Sequence, residues 1–243
     1  MLIASGCMRL TGGATTPSAR RGGLEPTRDY LIANKPEDTG YGLYSYLIIG
    51  QPPATYEQEA RCVAAIKAYL AIPTVQQSSA YAPRWQLNLT YVPVTHAPPF
   101  DVSGVSPGNV ADASSLDRAA SWILQNYDYA RAIHLLSVIR SQQFSGPYLV
   151  SYKRPLTSES LVTSEFLFQD MSRVEPAIVP MWTTEFLRLG AQERYWERES
   201  LRDWSNSLRN TLAQVAMSWP QFVSAIEQLV QYVDPPESKV AHR

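Results

Sequence analysis

Histidine and cysteine are scarce in this chain, with three of the former and two of the latter among 243 residues. Cys7 and Cys62 stand far apart without metal-ligand spacing, which excludes a structural zinc site, and no metal is expected. Charge of either sign is not in excess, Lys+Arg 21 against Asp+Glu 22. No basic stripe interleaved with aromatics occurs, so a nucleic-acid partner has no electrostatic footprint. Long hydrophobic runs are missing too. Tracts such as YLIIG and AIVPMW fall well short of the roughly 18 apolar residues a membrane-spanning helix needs.

A phosphate-cradling glycine loop is also lacking: GLYSYLIIG reads as strand, and Gly12-Gly13 lies in a polar stretch. Gly104-Val105-Ser106-Pro107-Gly108 sets Ser between glycines. It sits in a Pro/Gly loop with no strand leading into it, so it does not read as a nucleophile elbow. No cofactor is expected.

What is present is core-forming material: 45% hydrophobic residues, with six Trp and fourteen Tyr. That suffices for one folded domain. Residues 8–29 are rich in Gly, Thr, Pro, Ser and Arg and read as a tether. The domain is expected over residues 30–233, with a frayed tail at 234–243.

Within it, YGLYSYLIIG (41–50) is apolar on both faces, as a covered central strand would be. A helix follows with Cys62, Ile66, Tyr69 and Leu70 on one stripe, ended by Pro73. WQLNLTYVPV (85–94) alternates, predicting a strand with one drier face. Ser114-Ser115-Leu116-Asp117 has the form of a helix-capping box, ahead of LDRAASWILQNY and DYARAIHLLSVIR, two helices or one kinked helix. PYLVSYKR and EFLFQDM (165–171) predict two further strands, paired as a hairpin. From Pro176 onward the pattern is helical, with Trp182, Phe186, Leu189 and Trp196 on one side. The fold class is α+β: a mixed sheet of about four strands covered by helices, with a helical C-terminal third.

In sheets with parallel strands, ligands favour the crevice beyond the strands' C-terminal ends. Those ends supply Gly50 and Gln51, then Thr95 and His96, then Lys153 and Arg154. His96 and Lys153 are the candidate catalytic groups there; Gln51, Thr95 and Arg154 are the candidate binding groups. The plainer reading makes GQPP a turn, His96 a loop histidine and Lys153-Arg154 a solvated strand end. His134 reads as core or edge packing, and Cys62 as a buried thiol. Asp170 or Ser172 suits a cap for the next helix. Glu193, Glu197 and Glu199 alternate with Arg194, Arg198 and Arg202 as a charged, solvated face. Tyr41, Tyr44, Tyr46, Tyr91, Tyr148 and Tyr152 fall on predicted strands, either as a flat platform for sugars or peptides or as ordinary strand formers.

Ile3-Ala4-Ser5-Gly6-Cys7 resembles the lipobox of bacterial lipoproteins, a small-residue cleavage site directly before an acylated cysteine. Ala4 stands where Leu is commoner. Because an apolar signal stretch does not precede it here, Met1 is expected to be an internal methionine, with residues 1–7 the remnant of a signal peptide. A tether followed by a domain is the order such a protein would have. The resemblance implies lipidation of Cys7 and a bilayer as partner. With Met8 after the cysteine, it also implies an outer-membrane anchor facing the periplasm in a Gram-negative cell. The leading expectation is a non-catalytic cell-envelope lipoprotein contacting protein or cell-wall partners. The alternatives are a hydrolase-like enzyme built around His96 and a cytoplasmic protein with a coincidental Ser-Gly-Cys.

Overall fold

LYSYLI, with Leu and Tyr flanking a single serine, forms the central strand of the sheet, and each of its residues is buried. The structure, a computed structural model, describes residues 23–100, 110–138, 146–156, 166–192, 196 and 210. In chain order the elements are β1 (Glu25–Ile32), β2 (Leu43–Ile48), α1 (Tyr56–Leu70), α2 (Val75–Ser78), β3 (Leu87–Val94), α3 (Val110–Gln125), α4 (Tyr129–Val138), β4 (Tyr148–Tyr152), β5 (Phe166–Asp170) and α5 (Val179–Gly190). The sheet has five strands in the order β1-β3-β2-β4-β5. β1 and β2 run parallel to β3, whereas β4 runs antiparallel to β2 and β5 antiparallel to β4. This is the mixed α+β architecture expected, with one strand more.

The additional strand is β1, which takes residues 25–29 away from the expected tether. Arg28 is buried there because its polar groups are met from outside the strand. Its backbone N–H donates to the Pro73 carbonyl (2.9 Å) and its Nε to the Ile72 carbonyl (2.8 Å). Residues 73–74 thereby cover the outer edge of β1, which would otherwise present unpaired backbone groups. Residues 8–22 and 234–243 lie outside the described residues.

Register sorts the side chains onto two faces. Arg28, Tyr30, Asn88, Thr90, Ser45, Ser151 and Leu167 share one; Asp29, Leu89, Tyr91, Tyr44, Tyr46, Tyr148 and Tyr152 share the other. α1 covers the first. Thr55 caps it by accepting from Gln58 N–H, and it turns Cys62, Ala65, Ile66, Tyr69 and Leu70 inward. Tyr69 meets Tyr30 edge-on at 6.0 Å, and the Arg28 guanidinium lies 5.5 Å from its ring centre. α1 packs in turn against α3 and α5, with Lys67 paired to Asp117 of α3. The second face is crossed by residues 33–42, which carry the chain from β1 to β2. Their Asp38 N–H donates to Tyr91 Oη (2.8 Å), and Tyr46 Oη donates to Glu37 (3.2 Å). Arg131 of α4 clasps this strap, donating to the carbonyls of Ile32 (2.9 Å) and Lys35 (2.8 Å).

Several expectations are corrected by this packing. β3 is buried at all eight positions, so neither of its faces is the wetter one. The helix expected to start at Ser114 begins at Val110, which places Ser114–Asp117 inside α3 rather than at its cap, and α3 and α4 are two helices. The six tyrosines offer no platform: Tyr41 lies outside the strands and is 6% exposed, and none of the other five exceeds 2%. α5 ends at Gly190, with Trp182, Phe186, Leu189 and Trp196 all buried as expected.

Candidate functional site

The strand ends that the sequence reading singled out are held by one tyrosine. β2 and β3 finish side by side, and the turn joining α3 to α4 lies across them. Thr95 N–H donates to the Asn126 carbonyl (2.9 Å), Asp128 N–H to the Pro93 carbonyl (3.3 Å), and Tyr127 bridges to Val94. Tyr127, 4% exposed, accepts at Oη from Ile49 N–H (2.8 Å) and donates to the Leu47 carbonyl (3.1 Å). A phenol therefore satisfies backbone groups that the end of β2 would otherwise leave unpaired.

Gln51, Thr95 and His96 sit outside this plug, all exposed. Thr95 Oγ1 lies 2.9 Å from His96 Nδ1 and 3.2 Å from the Asn126 carbonyl. When the threonine hydroxyl donates to that carbonyl, Nδ1 is the donor to Thr95. The imidazole stands edge-on to Trp122 at 5.1 Å, and Phe100 stands edge-on to the same indole at 5.5 Å. His96 is thus held by a hydroxyl and an aromatic cluster.

Lys153 and Arg154 are not brought to this end. β4 is antiparallel to β2, with Ile48 opposite Tyr148 and Tyr44 opposite Tyr152, so the residues after Tyr152 emerge where β2 begins. Both are exposed, and Lys153 Nζ lies 5.6 Å from the ring centre of Trp196. The candidate residues therefore divide between opposite ends of the sheet. The joint crevice inferred from the sequence is corrected accordingly.

The remaining candidates resolve individually. His134 lies exposed on α4 rather than in a core. Cys62 is buried and unpaired, and burial pushes its thiol up to about 12. Asp170 accepts from Ser172 N–H at 2.7 Å and so closes a turn, not a helix, since α5 starts only at Val179. Cys7, the Gly104–Gly108 loop and the charged series Glu193, Arg194, Glu197, Arg198, Glu199 and Arg202 lie outside the described residues.

Two features escaped the sequence reading. A polar row crosses the core beneath α1, where Ser45 Oγ donates to Asn88 Oδ1 (2.8 Å) and lies 2.7 Å from Ser151 Oγ. Its signal was the matched YSY and VSY of β2 and β4, whose serines fall in register. The second is a surface corner between α2 and β3. Tyr81 and Trp85 are 64% and 65% exposed there, beside Arg84, whose guanidinium reaches Asp38 at 3.9 Å. Among the described residues no group of three or more His, Cys, Asp or Glu is placed to hold a metal. Compared with family models, with curated proteins and with solved structures, the chain matches none.

Proposed function

We propose that this chain is a cell-envelope lipoprotein, held to a bilayer through acylated Cys7, whose folded domain acts by contact with protein or cell-wall partners and not by catalysis. In a Gram-negative cell Met8 directs it to the outer membrane, facing the periplasm. The observation that carries the contact reading is the plugged strand end. Catalytic crevices in such sheets open beyond the strands' C-terminal ends, and here the turn at Asn126–Asp128 occupies that space with Tyr127 buried in it. A hydrolase at His96 would need a serine and a carboxylate within hydrogen-bond reach. Among the described residues the partners of His96 are Thr95 and Trp122. The lipobox resemblance at Ile3–Cys7 carries the anchor. Among the described residues no helix is long and apolar enough to cross a membrane, so the attachment proposed is the acyl chains.

Expression from the natural gene followed by detergent phase partition tests the anchor, and crosslinking in the same cells tests the contacts. The wild-type chain is expected in the detergent phase and Cys7→Ala in the aqueous phase, with His96→Ala giving the same adducts to envelope protein or cell wall as wild type. Equal partition of wild type and Cys7→Ala would overturn the anchor, and absence of any adduct to envelope protein or cell wall would overturn the contact reading.

A further inference from the structure

The end of the sheet opposite His96 gathers exposed aromatics and cations, and β1 begins there. β1 and β3 both start at this end, Glu25 opposite Leu87. Just ahead of β3 stand Tyr81, Arg84 and Trp85. Leu24, just ahead of β1, lies beside them: a Cβ on Gly42 would stand 2.4 Å from the Trp85 carbonyl oxygen and 2.8 Å from Leu24 Cδ2. Because β4 runs the other way, exposed Lys153 and Arg154 emerge here too. Only β2 separates β4 from β3, so the two strands lie about 10 Å apart across the sheet.

We propose that this end is a membrane-docking surface that seats on the anionic phospholipid headgroups of the bilayer holding Cys7. The inference rests on the lipoprotein reading. Gly23, the first described residue, follows Cys7 by 16 positions and leads into β1 at this end. Tryptophan and tyrosine favour the headgroup region, where an apolar ring and a single polar atom are both satisfied. Arg84, Lys153 and Arg154 meet lipid phosphates from the same side, and basic residues close to an anionic surface add to binding one by one. Among the described residues, the exposed carboxylates Glu25 and Asp38 share this end. Asp38 stands 3.9 Å from Arg84, close enough to hold the guanidinium in place but too far to bond it tightly.

The test uses the full-length chain carrying Cys7→Ala, so that no acyl chain contributes, with brominated vesicles of phosphatidylethanolamine and phosphatidylglycerol. Quenching of tryptophan emission is expected, and Trp85→Phe should remove it. Co-sedimentation should fall about fivefold in Arg84→Ala and be unchanged in His96→Ala. Vesicles of phosphatidylcholine alone should bind less. Quenching that survives Trp85→Phe, or equal sedimentation of wild type and Arg84→Ala, would overturn the proposal. A photoreactive group at position 85 that couples to protein instead of lipid in cells would overturn it as well. Failure of the anchor reads out separately, as Cys7-independent detergent partition of the acylatable chain.

Discussion

Tyr127 closes the end of the sheet with one hydroxyl. It accepts from Ile49 N–H and donates to the Leu47 carbonyl, both in fully buried surroundings. Tyr127→Phe keeps the ring and leaves both backbone groups without a partner, which should cost about 1–3 kcal/mol in denaturant unfolding. A variant as stable as wild type would show that water reaches this turn. Cys62 gives a second check at this scale. With the thiol pushed up to about 12 by burial, almost no thiolate exists at pH 8. The native chain should resist thiol reagents at Cys62 and react there only once unfolded. Asp29 gives a pH dependence. Burial raises its carboxyl above the ordinary value, Asp38 adds to the rise, and the bond from Tyr30 N–H opposes it. The folded chain therefore holds this proton more tightly than the unfolded one. The resulting stabilisation is complete below the unfolded carboxyl's range and is lost as pH rises through the raised value. Asp29→Asn should accordingly raise the Tm at neutral pH, with the gap closing as the pH falls toward the ordinary value of 3.8. A gap that persists unchanged in acid would assign the effect to packing.

Among the elements, Gly42 marks a tight joint. A side chain there would press on the Trp85 carbonyl, which is backbone, and on the terminal methyls of Leu24. Gly42→Ala should destabilise by about 1–3 kcal/mol, as overpacking does, and shift the emission of Trp85. An unperturbed variant would show that the loop before β3 yields freely. β2 and α1 were legible in the sequence because each writes its burial as a pattern: a Leu/Tyr/Ile run interrupted only by Ser45, and a stripe through Cys62, Ile66, Tyr69 and Leu70. β1 was not. EPTRDYLI carries two charged residues at its centre, and Arg28 is tolerated in a strand only because the carbonyls of Ile72 and Pro73, distant in sequence, receive its donors. The start of α3 was misread for a related reason, since Ser114 and Asp117 fit a cap locally while the helix was already under way from Val110. The candidate site failed on strand direction. Nothing in PYLVSYKR says that it runs opposite to YGLYSYLIIG, and that choice alone sends Lys153 and Arg154 to the far end from His96.

At the scale of the whole molecule, the two ends of the sheet differ in what they carry. One is filled by Tyr127 and bears His96 among aromatic rings; the other gathers Trp85, Tyr81 and the basic residues beside the start of β1. We propose that the domain is attached through its N-terminal side. The central claim is that attachment, and its chemistry leaves a mass signature. Protein purified from its natural cell or expressed from its natural gene, digested and analysed by mass spectrometry, should yield an N-terminal peptide that begins at Cys7 and carries acyl chains. An unmodified peptide that reads through Ser5-Gly6-Cys7 in the mature protein would contradict the account.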